Sequence, residues 1–204
     1  LYTENDFALA EDVEAKAERT EVGTTEMGLT EDSFVNNNSN FTNVTFVVTD
    51  GYIEVKPAEG SIVVTIVGSN DTQIYNGEQQ EVTGWTVTGI VDESRLYQAE
   101  YVSLKQGLTA TAARTDVGTT DMGLTEGSFE NTNENFNNVV FNVTDGFMTV
   151  NARPATLTSS GATKPYDGTP LTKEGVVADG FVSGEGVTYT MTGSQTLVGS
   201  SDNT

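Results

Sequence analysis

The chain repeats itself. Arg19-Thr20-Glu21-Val22-Gly23-Thr24-Thr25-Glu26-Met27-Gly28-Leu29-Thr30 returns as Arg114-Thr115-Asp116-Val117-Gly118-Thr119-Thr120-Asp121-Met122-Gly123-Leu124-Thr125, an offset of 95 residues. The offset holds without a gap from Leu1-Tyr2, matched by Leu96-Tyr97, to Val55, matched by Val150. Between residues 19–57 and 114–152, 25 of 39 positions are identical. A second match, offset by 91, sets Tyr75-Asn76-Gly77 against Tyr166-Asp167-Gly168, and Gly84 and Gly89 against Gly175 and Gly180. Farther on, Val117-Gly118 meets Val198-Gly199 at an offset of 81, so the third copy lacks about ten residues, those matching 91–99. A stretch whose length varies between copies reads as a loop, where function is commonly carried.

This periodicity divides the chain into the closing part of a first repeat (1–57), a complete central repeat (58–153) and the opening part of a shorter third (154–204). The order reads as a piece of a longer tandem array. Its joints fall at Lys56-Pro57-Ala58-Glu59-Gly60 and Asn151-Ala152-Arg153-Pro154, where proline ends ladder pairing and polar residues follow an apolar strand.

Within each repeat the pattern is strand after strand. Ile62-Val63-Val64-Thr65-Ile66-Val67 is a β-branched run of strand length, and Trp85-Thr86-Val87-Thr88 and Leu108-Thr109-Ala110-Thr111 add alternating segments. Val139–Thr144, then Asp145-Gly146, then Phe147–Val150 reads as a hairpin closed by a two-residue turn with positive φ. That register sets Val143 opposite Met148 and Phe141 opposite Val150 on the inner face, and the first copy repeats it with Val48, Ile53, Phe46 and Val55. A short helical turn is expected at 124–129, weakened by Gly127. The fold class is therefore all-β, with each repeat the size of a small β-sandwich.

Composition removes several functions. Nine basic and 30 acidic residues leave a net charge of −21 with no histidine, a surface that repels nucleic-acid backbones. No cysteine means no thiolate catalysis, thiolate-zinc site or disulfide, and no histidine removes the commonest general base and metal ligand. No apolar run is long enough for a membrane helix. Carboxylate pairs are inevitable among 30 acids, and a small repeated module offers no deep cleft, so no catalytic residues and no cofactor are expected.

Taken in order, Tyr166-Asp167-Gly168-Thr169-Pro170-Leu171-Thr172, Tyr75-Asn76-Gly77, Asp116-Val117-Gly118-Thr119 and Asn133-Glu134-Asn135-Phe136 resemble the YDG and MBG-type repeats of bacterial surface proteins. The resemblance spans essentially the whole chain. It implies tandem, immunoglobulin-like β-sandwich modules in a long secreted or wall-anchored adhesin, extracellular, with no catalytic residues.

The remaining candidates divide between architecture and binding. Tyr75, Gly77, Tyr166 and Gly168 suit a turn with a tyrosine lid better than a sugar-stacking site, because recurrence in a repeat is what a fold requires. Val117, Gly118, Phe136, Asp145 and Gly146 are likewise read as structural. Asp116 and Asp121 offer oxygen ligands suited to calcium, but Leu197 replaces Asp116 in the third copy, so no metal site is expected. The Asn-rich runs at 36–40 and 131–135 suit turns before a strand better than glycan contacts. No lysine is kept between copies, so no lysine–asparagine crosslink common to all repeats is expected. Two functional readings follow. The first is a stalk of repeats whose partners are neighbouring repeats. The second is an adhesive module that grips a host glycan or protein through the loop from Val91 to Tyr97, with Arg95, Tyr97 and Tyr101 as anchors.

Overall fold

The β-branched and alternating segments form sixteen short strands, and four three-residue 3₁₀ turns are the only helical pieces. The computed structural model describes residues 1–204. In chain order the strands are β1 (Phe7–Leu9), β2 (Gly23–Glu26), β3 (Phe34–Asn36), β4 (Tyr52–Val55), β5 (Ile62–Gly68), β6 (Asn70–Ile74), β7 (Gln80–Thr83) and β8 (Trp85–Val91). They continue as β9 (Val102–Leu104), β10 (Thr111–Arg114), β11 (Gly118–Asp121), β12 (Phe129–Asn131), β13 (Val139–Thr144), β14 (Phe147–Asn151), β15 (Thr156–Ser159) and β16 (Val176–Asp179). The protein is all-β.

Two units are distinguished. One comprises Leu1–Thr65, Gly89–Lys105 and Phe129–Asn142, the other Ile66–Thr88, Gln106–Ser128 and Val143–Thr204. In the first, β1 pairs antiparallel with β3, β2 with β4, and β9 with β12. In the second, β7 pairs with β10, β15 with β16, and β14 is flanked by antiparallel β11 and parallel β6. A further sheet runs in the order β13-β5-β8.

The sequence offset of 95 is also an offset in backbone pairing. Gly23 opposes Val55 as Gly118 opposes Val150, and Phe7 opposes Asn36 as Val102 opposes Asn131. The 3₁₀ turn at Glu126–Ser128 falls inside the expected helical turn and matches one at Glu31–Ser33. Inward positions carry the apolar residues. Met148 and Val150 of β14 and Ala112 of β10 are buried, with Tyr75, Val82 and Met122 packed against them.

The expected hairpin at Asp145-Gly146 is not formed. β13 belongs to the sheet with β5, whereas β14 pairs with β11 and β6, so Met148 faces Thr120 and Asp71 rather than Val143. The alternation is right and the partner is wrong: Phe141, Met148 and Val150 are buried while Asn142 and Thr144 are exposed. Neither Asp145 nor Gly146 has positive φ. The chain bends there and continues into another sheet, and it does the same at Gly68-Ser69 between β5 and β6. The two bends touch. A Cβ on Gly146 would lie 2.2 Å from the Ser69 carbonyl oxygen, and one on Gly68 would lie 2.4 Å from the Gly146 nitrogen. Glycine is needed for backbone approach, not for a left-handed turn.

The Asp145 carboxylate holds the bend. It accepts from the N–H groups of Gly123 (2.8 Å), Leu124 (2.9 Å) and Gly146 (2.8 Å), while the Met122 N–H donates to the Gly146 carbonyl at 2.8 Å. Asp50 does likewise with Gly28 and Leu29 at 2.8 and 3.0 Å, and Met27 with Gly51 at 2.8 Å. Met-Gly-Leu and Asp-Gly, distant in sequence, are thus one structural motif.

Two other strand expectations shift. The strand expected at 108–111 begins instead at Thr111, and Leu108 is exposed. Residues 44–49 keep the alternating exposure of a strand but form no ladder, in contrast to their equivalent β13 beside β5. Alternation fixes the inner face, whereas a strand also needs a neighbour to pair with.

Replacing Gly146 by Ala drives a methyl group into backbone that has no rotamer with which to yield. Gly146→Ala should lower unfolding free energy by about 2–3 kcal/mol, whereas Gly161→Ala, with open space around it, should change it by less than about 0.5 kcal/mol. Urea midpoints of the two variants measure the difference.

Candidate functional site

Most of the residues singled out from the sequence lie in three loops, and in each a polar side chain is turned on the protein's own backbone. In the segment from Val91 to Tyr97, Asp92 is the organiser. Its carboxylate accepts from the N–H groups of Ser94 (3.0 Å), Leu96 (2.9 Å) and Tyr97 (2.9 Å), and from the Ser94 hydroxyl at 2.8 Å. The Tyr97 N–H, followed by Ser94 and Leu96, holds the Asp92 carboxyl below the ordinary carboxylate range against the opposing effect of burial. Arg95 sits at φ 59° in the middle of this turn, with its side chain exposed.

Tyr97 does not stand at the surface beside it. The residue is 5% exposed, and its ring packs edge-on against Tyr101 and Phe136 at centroid distances of 5.5 and 5.2 Å. Its hydroxyl donates to Asn131 Oδ1 at 3.1 Å, and burial pushes the phenol up to about 12. Tyr101 stacks on Phe136 at 6.0 Å. The structure brings Tyr97 and Tyr101 together as packing for Phe136, with Arg95 outside that cluster. Tyr2, Asn36 and Phe41 reproduce the arrangement in the first copy.

Asparagine does similar work in the loop that follows β12. Asn131 donates to the carbonyls of Asn133 and Phe136 at 2.8 and 2.6 Å and accepts from the Asn133 N–H at 3.1 Å. Asn36 donates to Asn38 and Phe41 in the same way. A carboxamide supplies donor and acceptor together, which a loop of unpaired peptide groups needs.

The second loop is built by an arginine that the sequence reading passed over. Arg114 donates to the carbonyls of Asp116 (2.7 Å), Val117 (2.8 Å) and Thr119 (3.3 Å) and to Thr120 Oγ1 (3.2 Å), wrapping the turn around one guanidinium. Gly118, at φ 136°, leaves the space that the guanidinium fills, since a Cβ there would lie 2.3 Å from an Arg114 nitrogen. Arg19 and Gly23 repeat the pair. In the third copy Gln195 takes the arginine position and donates to the Leu197 carbonyl at 2.8 Å beside Gly199. The available signal was the spacing Arg-x-x-x-Gly, kept in both longer copies. Asp116 and Asp121 belong to no cluster of three or more metal-binding side chains.

The third loop is the Tyr-Asn/Asp-Gly turn. Asn76 Oδ1 accepts from the Glu78 N–H and Asp167 Oδ1 from the Thr169 N–H, both at 2.9 Å, and Gly77 and Gly168 follow with φ of 83° and 77°. Tyr75 packs on the buried cluster as expected of a lid, and its hydroxyl donates to Glu185. Tyr166 is 63% exposed and lids nothing. Lys164 donates to Asp167 at 2.9 Å and is the first cause holding that carboxyl well below its usual range.

No helix is long and apolar enough to cross a membrane. Searches against known protein families, characterised proteins and solved structures found no match to this chain.

Asp92 supplies a pH test of the first loop. A folded carboxyl lowered below its unfolded value stabilises the fold fully above about pH 4 and loses that contribution as pH falls through the lower folded value. Asp92→Ala should therefore be less stable than the parent at pH 7, by about 0.5–1.5 kcal/mol, the net worth of bonds whose N–H groups water can reach. The gap should narrow as pH falls below about 4, the unfolded carboxyl's value. Thermal melts of both chains across pH 2–7 give the comparison, and an unchanged gap would refute this role of the carboxylate.

Proposed function

We propose that these segments are structural spacer repeats of a bacterial surface adhesin, tandem β-sandwich modules of the YDG and MBG type that project a distal binding region from the cell envelope. The supporting observation is where the repeated residues go. Arg19 and Arg114, Asp50 and Asp145, and Asn36 and Asn131 each close loops of their own copy, with the same partners at an offset of 95. A residue kept for a ligand points outward, whereas these point at backbone. The charge of −21 suits a solvated array that resists collapse onto anionic wall polymers. Stability in such an array is the sum of module and neighbour terms.

An adhesive role for the loop at Val91–Tyr97 is the second reading. One observation favours it: Arg95 and Leu96 are exposed on a turn pinned by Asp92, a rigid display of one cation and one apolar group. Tyr101 and the buried Tyr97 would then support the loop from beneath instead of gripping the ligand.

Pulling the full chain between its ends should give a discrete unfolding event for residues 58–153, releasing on the order of 300 Å of contour. A featureless force curve would sink the spacer reading. In a mucin pull-down and glycan array the same chain should show no specific retention. Retention that Arg95→Ala abolishes without lowering the melting temperature would establish the adhesive reading instead.

A further inference from the structure

One asparagine behaves differently in the two copies. The loops 36–40 and 131–135 share their internal bonds, including the N–H of Asn40 donating to Asn38 Oδ1 and that of Asn135 donating to Asn133 Oδ1, both at 3.0 Å. Their last side chains diverge. The Asn40 carboxamide turns back to Asn38 Oδ1 at 3.0 Å and is exposed. The Asn135 carboxamide is half-buried and reaches across to the first copy, where Oδ1 accepts from the Val22 N–H at 2.8 Å and Nδ2 donates to the Glu21 carboxylate. The Asn135 carbonyl also accepts from the Ala58 N–H at 2.8 Å, so one residue holds the neighbouring copy and the segment just after Pro57.

The receiving side also exists twice. Glu21-Val22 is the turn wrapped by Arg19, and Asp116-Val117 is the same turn wrapped by Arg114. Val22, against Asn135, is half-buried, whereas Val117 is 53% exposed and its N–H donates to no group in the chain. Asp116 supplies the carboxylate one methylene shorter. The chain thus holds one closed contact, one spare asparagine and one spare acidic turn. An uncharged carboxamide is suited to this task, because it can donate to a carboxylate without bringing a second negative charge toward a strongly acidic chain.

We propose that the Asn135 contact is a module-to-module dock, and that Asn40 and the Asp116-Val117 turn are its free halves, each taking another module of this kind as presented by a second copy of this chain. The proposal rests on the repeat reading above for its partner, but not on whether the array binds mucin. Its chemistry is a carboxamide closing on a peptide N–H and a carboxylate.

Because the chain has no cysteine, thiols can be placed beside each half without touching the docking atoms. Ser39→Cys flanks Asn40, and Val117→Cys keeps the N–H at its position. The two full-length variants, mixed in equal amounts at physiological salt under mild oxidation and distinguished by isotope label, should form the mixed dimer at least ten-fold faster than either like dimer. Asn40→Ala in the Ser39→Cys chain should remove that excess. A mixed dimer at only the statistical excess, or one indifferent to Asn40→Ala, would overturn the proposal. In the unaltered chain, diluted until it is monomeric by light scattering, amide exchange at Val22 should be at least ten-fold slower than at Val117, and Asn135→Ala should equalise the two. Equal rates in the unaltered chain would show that the dock does not hold, whatever the outcome of the pulling and mucin experiments.

Discussion

The close crossing of two backbones at Gly68-Ser69 and Asp145-Gly146 governs the central repeat. Two segments leave one set of strand partners and join another, and they do so where they touch. A sheet change leaves peptide groups without ladder partners at the bend, and buried peptide groups must be satisfied. The Asp145 carboxylate meets that demand by accepting three N–H groups, two of them from the Met122-Gly123-Leu124 turn. Immediately beyond the crossing β14 pairs parallel with β6, from Phe147 opposite Asn70 to Asn151 opposite Ile74. Met148 and Val150 reach the core on one of those segments.

This explains which parts of the fold were legible. Inside and outside were legible at β13 and β14, because alternation in side-chain polarity directly records which face is buried, whereas the apolar run of β5 marked a strand without marking its face. Partnership was not. Asp-Gly flanked by apolar strands carries the same local signature whether the chain reverses or bends, and only the non-local contact with Gly68-Ser69 distinguishes them. The clue lay elsewhere in the sequence: Met-Gly-Leu recurs with Asp-Gly at fixed separation, as two parts of one contact would. Tyr97 shows the same limit. A tyrosine in a length-variable loop resembles a binding anchor, yet its neighbours Tyr101, Asn131 and Phe136 come from other segments, and they make it core.

The polar residues divide the labour by charge. Carboxylates serve where several N–H groups converge, at Asp50, Asp92 and Asp145, because each carboxylate offers two acceptor oxygens and no donor. The guanidiniums of Arg19 and Arg114 serve where carbonyls converge, for the complementary reason. Asparagine serves where a donor and an acceptor are needed side by side, in the loops at 36–40 and 131–135. Exposed ion pairs such as Lys16–Glu18 and Lys56–Glu54 have no comparable structural role, and pairs of that kind contribute little in water.

The third copy tests this division from within the molecule. Where Arg114 becomes Gln195, a single carboxamide donor replaces a guanidinium that holds three carbonyls and a hydroxyl, and the turn retains one of those bonds. The glycine survives, at φ 147°, because the backbone conformation outlasts the side chain that filled the space beside it. Leu197 meanwhile stands where Asp116 and Glu21 stand in the other copies, so this turn offers no carboxylate to a neighbour. Loss of the arginine and of the acid in the same turn is a joint change in its support and in its outward chemistry. The two properties therefore belong to one structural unit, with the guanidinium setting the backbone from which the carboxylate and the valine N–H are presented.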